Sequence, residues 1–229
     1  MPERSLLRIG SVSAIVGSVL ALVVNILHPR SATVESPEAF LRMILDSTIW
    51  VGDHVGILFA VLLITGGLTA IYRSIQGEPG AAWARLGFAG SLVSAAMLSL
   101  LMATDGITIR VLARAWANAP EAEKAVAFRV AHALLLVDFA VFSIWIIVFF
   151  GVTFILYGLA VVTSAVYPRW LGWVAALAGL GSALVGLNQA YRGASVLVTN
   201  VLFPIFSIII TLWVLVLGIL LWRKTGAAA

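Results

Sequence analysis

The 229-residue sequence contains no cysteine. That absence excludes disulfides, thiolate metal sites, iron–sulfur clusters, cysteine catalysis and covalent haem attachment. Charge is scarce as well: Asp, Glu, Lys and Arg make up 10% of the residues, against roughly 25% in a soluble domain. Apolar residues fill the space, at 62% of the chain. No soluble fold of this length hides so much apolar surface, so the solvent is lipid. The net charge of +4 is spread thinly over short loops and forms no patch or stripe, which argues against nucleic acid as a partner.

A bilayer-spanning helix needs about 20 mostly apolar residues. Six stretches qualify, at 6–28, 49–74, 83–105, 130–160, 169–190 and 197–222. Backbone polar groups in lipid must be satisfied within their own segment, so each is a helix. The expected fold class is all-α, a polytopic six-span bundle forming one domain over 1–229, in a bacterial plasma membrane. The N-terminal apolar run has no small-residue cleavage site and reads as a retained first span.

Basic residues tie across the two sides, so their number does not orient the chain. Their position does: Arg4, Arg8, Arg73, Arg85, Arg169, Arg223 and Lys224 crowd short loops and helix ends on one side. That side is expected to be cytoplasmic and to hold both termini. Glu35, Glu38, Asp46, Glu121 and Glu123 fall on the other, outer side. Trp83, Trp170, Trp173 and Trp222 mark one water–lipid boundary and Trp50 with Trp116 the other.

Small residues at four-residue spacing let helices approach closely in lipid. Gly52, Gly56 and Ala60 form one such row, Gly87, Ser91, Ala95 and Ser99 a second, and Ala178, Ser182 and Gly186 a third. In the outer loops, Ser36 and Pro37 open a helical pattern over 36–47, an interfacial helix. Arg110, Arg114 and Asn118 recur every four residues and are expected to meet headgroups or water. Asn118-Ala119-Pro120-Glu121 starts another helix, with acids in its first turn.

The polar residues at membrane depth are one-sided. His28 ends the first span, Asp53 and His54 begin the second, and Asp105 ends the third. Arg129 and His132 begin the fourth with Asp138 deeper, Asn188 ends the fifth and Asn200 begins the sixth. All lie toward the outer side. Ionisable groups at such depth are costly and mark functional sites, so Asp53, His54, Asp105, His132, Asp138, Asn188 and Asn200 are the candidate ligand-binding residues.

Helix geometry prunes the set. Asp53 and His54 are adjacent and diverge by about 100°, so at most one is expected at the centre of a site. On the fourth span His132 shares a face with Phe139 and Ser143, while Asp138 sides with Phe142, Trp145 and Phe149. His28, before Pro29 at a helix end, reads as an interfacial residue. Asp138 suits either a site or a pairing with Arg129, Arg192 or a backbone group. Pro204 frees the carbonyl of residue 200, adding an acceptor beside Asn200.

Imidazoles with carboxylates suit a divalent transition metal; His28, His54, His132 and Asp105 could supply three nitrogens and one oxygen from four helices, and His54, His132 and Asp105 are the preferred ligands. A non-covalent haem between His54 and His132 is the other cofactor reading. A buried Asp–His pair also suits general acid–base chemistry on a lipid-like substrate. Three functions stay open: a pocket on the outer side binding a hydrophobic small molecule, metal or haem; a transporter of a small solute, coupled to protons through the aspartates; and an accessory subunit of a larger membrane complex or homo-oligomer. Whether the chain is an enzyme is left open.

One region has a familiar outline. Phe149-Phe150-Gly151 and Tyr157-Gly158 are followed by Tyr167-Pro168-Arg169-Trp170-Leu171-Gly172. The run resembles an uncharacterised bacterial six-helix membrane family carrying a domain of unknown function, in which a Phe-Phe-Gly helix precedes a Leu-Pro-Arg-x-Leu-Gly turn. Tyr167 departs from that turn's leucine. The resemblance implies architecture and brings no reaction with it.

Overall fold

The computed structural model describes residues 2–30 and 36–226. Glu35, assigned above to the outer side, lies outside the described residues. The described chain is helical throughout, with no strand. The helices are α1 Pro2–Leu27, α2 Pro37–Asp46, α3 Trp50–Ser74, α4 Ala81–Leu101, α5 Ile109–Asn118, α6 Glu121–Trp145, α7 Phe154–Thr163, α8 Arg169–Arg192 and α9 Phe203–Gly226. Three π-helical segments interrupt them: π1 Met102–Thr108, π2 Ile146–Thr153 and π3 Val198–Leu202.

Six helices are long and apolar enough to cross a membrane, so this is a multi-pass integral membrane protein. They form a closed ring in chain order. α1 packs on α3, α3 on α4, α4 on α7 and π2, α7 on α8, α8 on α9, and α9 returns to α1. Short connections force neighbouring spans antiparallel, and lipid rewards the tightest packing available to them.

Two spans are longer than the sequence suggests. The third runs without a break over Ala81–Asn118 and the fourth over Glu121–Thr163. Asp105 and Gly106 do not end the third helix. They sit inside π1, where the Ile109 N–H bonds the Thr104 carbonyl. Threonines help to carry the wide turns: the Thr108 hydroxyl donates to the Ala103 carbonyl at 2.9 Å and the Thr153 hydroxyl to the Val148 carbonyl at 2.8 Å. Both bonds reach back five residues, the spacing of a π turn. The protruding ends of these helices carry a second, smaller core. Leu41 and Ile44 of α2 pack with Trp50, Ile109, Ala113, Trp116, Ala131 and Leu135.

This cap corrects two expectations. Trp50 and Trp116 are not interfacial residues but 1% and 5% exposed, inside the second core. Trp83, Trp170, Trp173 and Trp222, at the opposite end, are exposed at 41%, 62%, 53% and 46%. Arg110 does not reach for headgroups. It donates to the Ile44 carbonyl at 3.0 Å and to the Ser47 carbonyl, pinning α5 to the end of α2. The amphipathic α2 itself forms as its sequence predicts, capped by the Ser36 hydroxyl.

The half of the bundle that holds the termini is sealed by backbone contact. A Cβ on Gly158 would stand 2.6 Å from the Gly172 carbonyl oxygen and the Ala176 nitrogen, and one on Gly67 2.7 Å from the Ala14 Cα. Gly56 likewise abuts Val24, whereas nothing lies within 4 Å of a Cβ on Gly52. Gly52 therefore plays no part in helix packing. Buried donors in this half find carbonyls on neighbouring helices: Tyr157 Oη to Leu68 at 3.0 Å and Trp213 Nε1 to Leu171 at 2.7 Å.

Candidate functional site

Above that seal the ring opens around a cavity of about 190 Å³. This exceeds the roughly 150 Å³ of an apolar protein cavity that takes up benzene. Its deep wall is aromatic, with Phe142, Trp145, Phe149, Phe150, Phe154 and Phe203. Its ionisable lining comes from His28, Arg30, His54, Asp105 and Asp138, all in the half of the bundle that carries α2 and α5, with Asn25, Thr199 and Asn200 beside them and the hydroxyls of Ser207 and Thr211 deeper along α9. Every span but the fifth contributes to the wall. The three π segments all do so, through Met102 and Asp105, Phe149 and Phe150, and Thr199 and Asn200. π segments inside α-helices recur at functional sites because the extra residue widens the turn and re-aims its side chains.

At the polar end, two imidazole–carboxylate pairs meet. His28 Nδ1 is 2.6 Å from Asp53 Oδ2, and His54 Nε2 is 3.3 Å from Asp105 Oδ2. The two imidazole ring centres are 5.2 Å apart, and Trp50 lies against both rings, at 4.3 Å from His54 and 5.8 Å from His28. His28, Asp53 and His54 each offer a ligating atom within 4.8 Å of the others. Asp53 and His54 are buried, at 6% and 1% exposure.

The hydrogen bonds define the tautomers. His54 Nδ1 is 2.7 Å from the Trp50 carbonyl oxygen, one turn back. A carbonyl only accepts, so His54 carries a proton on Nδ1 and turns Nε2 toward Asp105. His28 Nδ1 donates to the Asp53 carboxylate by the same reasoning, leaving its Nε2 uncommitted. Gly106 makes the His54–Asp105 approach feasible, since a Cβ there would stand 2.7 Å from His54 Cβ. Trp50 Nε1 also donates to the Asp105 carbonyl at 2.9 Å, tying π1 to the start of α3.

Asp138 stands apart from these pairs. It is 3% exposed, lines the cavity, and neither of its carboxyl oxygens has a hydrogen-bond partner. The Thr104 hydroxyl near it is spent on the Leu100 and Leu101 carbonyls. The expected pairing with Arg129 or Arg192 does not form. Among the described residues, no lysine or arginine forms an ion pair with Asp53, Asp105 or Asp138.

The remaining expectations divide. Asn200 reaches the cavity. Asn188 is exposed, and its neighbour Gln189 is the buried one, at 2%. Gln189 Nε2 donates to the Ser143 hydroxyl at 3.1 Å across the α6–α8 contact. His132 stacks on Phe128, with ring centres 5.8 Å apart, and lines neither the cavity nor the metal-competent group. The group whose ligating atoms converge is His28, Asp53 and His54, with His132 outside it and Asp105 3.3 Å from His54. A His54–His132 haem pair has no support in this arrangement. Asp53 and His54 diverge as their adjacency dictates, and His28, just past the end of α1, meets both side chains. His28, one of three histidines, is a possible ligand by residue type, and its helix-end position favours the interfacial reading instead.

Comparison with protein-family models, curated proteins and solved structures gave no match to this chain.

Proposed function

We propose that this integral membrane protein uses its cavity to hold a small amphiphile of about the size of a single ring, carrying a hydrogen-bond donor. The aromatic wall takes the apolar body and the polar end takes the head. The observation that carries the reading is Asp138: a buried carboxyl group without a hydrogen-bond partner, on the wall of a mostly apolar cavity with an aromatic deep end. A buried unsatisfied acceptor costs roughly 1–3 kcal/mol, and a ligand O–H or N–H removes that cost. The sealed opposite half favours a closed-ended pocket over a through-path for a transported solute. Basic residues close to the helix ends of the sealed half support an orientation with that half, and both termini, toward the cytoplasm of a bacterial inner membrane.

The test uses the full chain in nanodiscs, with empty nanodiscs as the blank. Trp50 and Trp145 line the cavity, so a brominated ligand that enters it quenches their fluorescence. 4-Bromophenol should quench saturably and bind about tenfold more tightly than 4-bromotoluene, the value of one hydrogen bond to a buried carboxyl group. Asp138→Leu should abolish that preference while both compounds still bind. Equal affinities in the unmodified protein, or quenching that rises linearly as in the blank, would refute the reading.

A further inference from the structure

The geometry points to a divalent transition-metal site at the polar end of the cavity, with His28 Nε2, His54 Nε2 and the Asp105 carboxylate as ligands from α1, α3 and π1. The inference goes beyond the amphiphile reading and stands independently of it.

Three observations carry it. The first is the His54–Asp105 separation. A charge-assisted N–H···O bond closes to about 2.7–2.9 Å, yet His54 Nε2 and Asp105 Oδ2 stand 3.3 Å apart. A tetrahedral ion with bonds of about 2.0–2.1 Å holds two donors about 3.3 Å from one another. The Trp50 carbonyl holds His54 Nδ1, which leaves Nε2 facing the Asp105 carboxylate. The observed separation is that of two donor atoms on one such ion.

The second is the spacing of the two histidines. Two imidazoles bound through Nε2 to one tetrahedral ion, with metal–nitrogen bonds of about 2.0–2.1 Å, have ring centres about 5 Å apart. The observed value for His28 and His54 is 5.2 Å. Both rings are also held as metal-binding histidines are, with the other nitrogen donating to a carboxylate or a backbone carbonyl. Asp53 Oδ2 holds His28 and the Trp50 carbonyl holds His54. Asp53 is therefore a positioning residue, and its buried Oδ1 has no hydrogen-bond partner.

The third is charge. Asp53, Asp105 and Asp138 bring three carboxyl groups to one end of the bundle, with no lysine or arginine ion-paired to any of them among the described residues. Arg30, on the cavity rim, donates to the Asn25 side chain and carbonyl instead. Several carboxylates this deep in a bundle need positive charge, and a divalent ion supplies it. Two imidazoles and one carboxylate suit zinc, iron or cobalt ahead of calcium or magnesium. Three protein ligands leave a fourth position for water or the head of a cavity ligand.

The experiment uses the full chain without a polyhistidine tag, stripped with chelator and reconstituted in nanodiscs, with Zn²⁺ and Co²⁺ as probes. Calorimetry should show one equivalent of Zn²⁺, and Co²⁺ should develop the visible ligand-field bands of a tetrahedral complex. His54→Ala and His28→Ala should each lower affinity at least a hundredfold and remove the Co²⁺ bands. Asp53→Asn should keep the bands and weaken binding 10- to 100-fold. His132→Ala should match the unmodified protein. Elution profile and tryptophan emission check that each variant folds; should the buried His54 prove essential to folding, the partly exposed His28 still decides the question. Substoichiometric binding by the unmodified protein overturns the site. So does full binding by His28→Ala/His54→Ala, the result for an adventitious ion only. The 4-bromophenol experiment, run in chelator, fails or succeeds separately.

Discussion

Replacing Asp138 by leucine should stabilise the protein. The carboxyl group is 3% exposed and neither oxygen has a hydrogen-bond partner, so the folded state bears a desolvation penalty that the unfolded state does not. Mutational data put that penalty at roughly 1–3 kcal/mol, and buried ionic groups replaced by apolar ones of similar volume often raise stability by a comparable amount. Leucine branches like aspartate and is larger only because two methyls replace the two oxygens, and the adjoining cavity of about 190 Å³ has room for the difference. For a chain of this length each kcal/mol moves the unfolding midpoint by roughly 2–4 °C, giving a rise of roughly 2–12 °C. Scanning fluorimetry on chelator-washed protein in one detergent measures it. Asp138→Asn, which keeps the shape and adds two donors, separates loss of charge from loss of polarity. A midpoint below that of the unmodified protein would falsify the premise, because it would show that the carboxyl group is already satisfied by the fold. A stabilised variant that loses the bromophenol preference would show stability given up for binding, as functional sites commonly do.

Two further outcomes follow from the packing. Gly158→Ala must separate α7 from α8 by several tenths of an ångström, since its Cβ would stand 2.6 Å from two backbone atoms. It should cost about 1–3 kcal/mol, whereas Gly52→Ala, with nothing within 4 Å, should cost nothing; equal midpoints for the two variants would contradict the sealed half. At the membrane-flanking turn between α7 and α8, burial pushes the Tyr167 phenol up to about 12, from an ordinary value near 10. Its stabilising contribution is complete below about pH 10 and is lost as the pH rises through about 12, because the unfolded chain ionises first. Tyr167→Phe should remove a late phenolate step near pH 12 from the absorbance titration, and an unchanged titration would refute the burial argument.

Much of the site could be read in the chain, and the misses share a cause. Asp53, His54, Asp105 and Asn200 were identified from residue type and depth, and each reaches the polar end of the bundle. Asp138 was separated from His132 by helix periodicity alone, and only Asp138 lines the cavity. The errors concern which helix meets which. His28 appeared incidental because its position at a helix end says nothing of α3 beside it. Asn188 is exposed and Gln189 buried because one residue of helix rotation, about 100°, decides which of them faces α6. Asp105 was placed at a helix terminus because its charge resembles a boundary, whereas π1 carries it through a continuous helix.

Composition alone determined the class of object and its asymmetry. So many apolar residues in six runs demand lipid, lipid demands helices, and the cost of polar groups in hydrocarbon restricts them to one end. The ring closure of α9 on α1, the seal of glycine contacts and the meeting of His28 with Asp53 and His54 were decided only in three dimensions. Each depends on contacts between residues distant in the chain, and helix periodicity fixes the direction of a side chain without naming the neighbour it will meet.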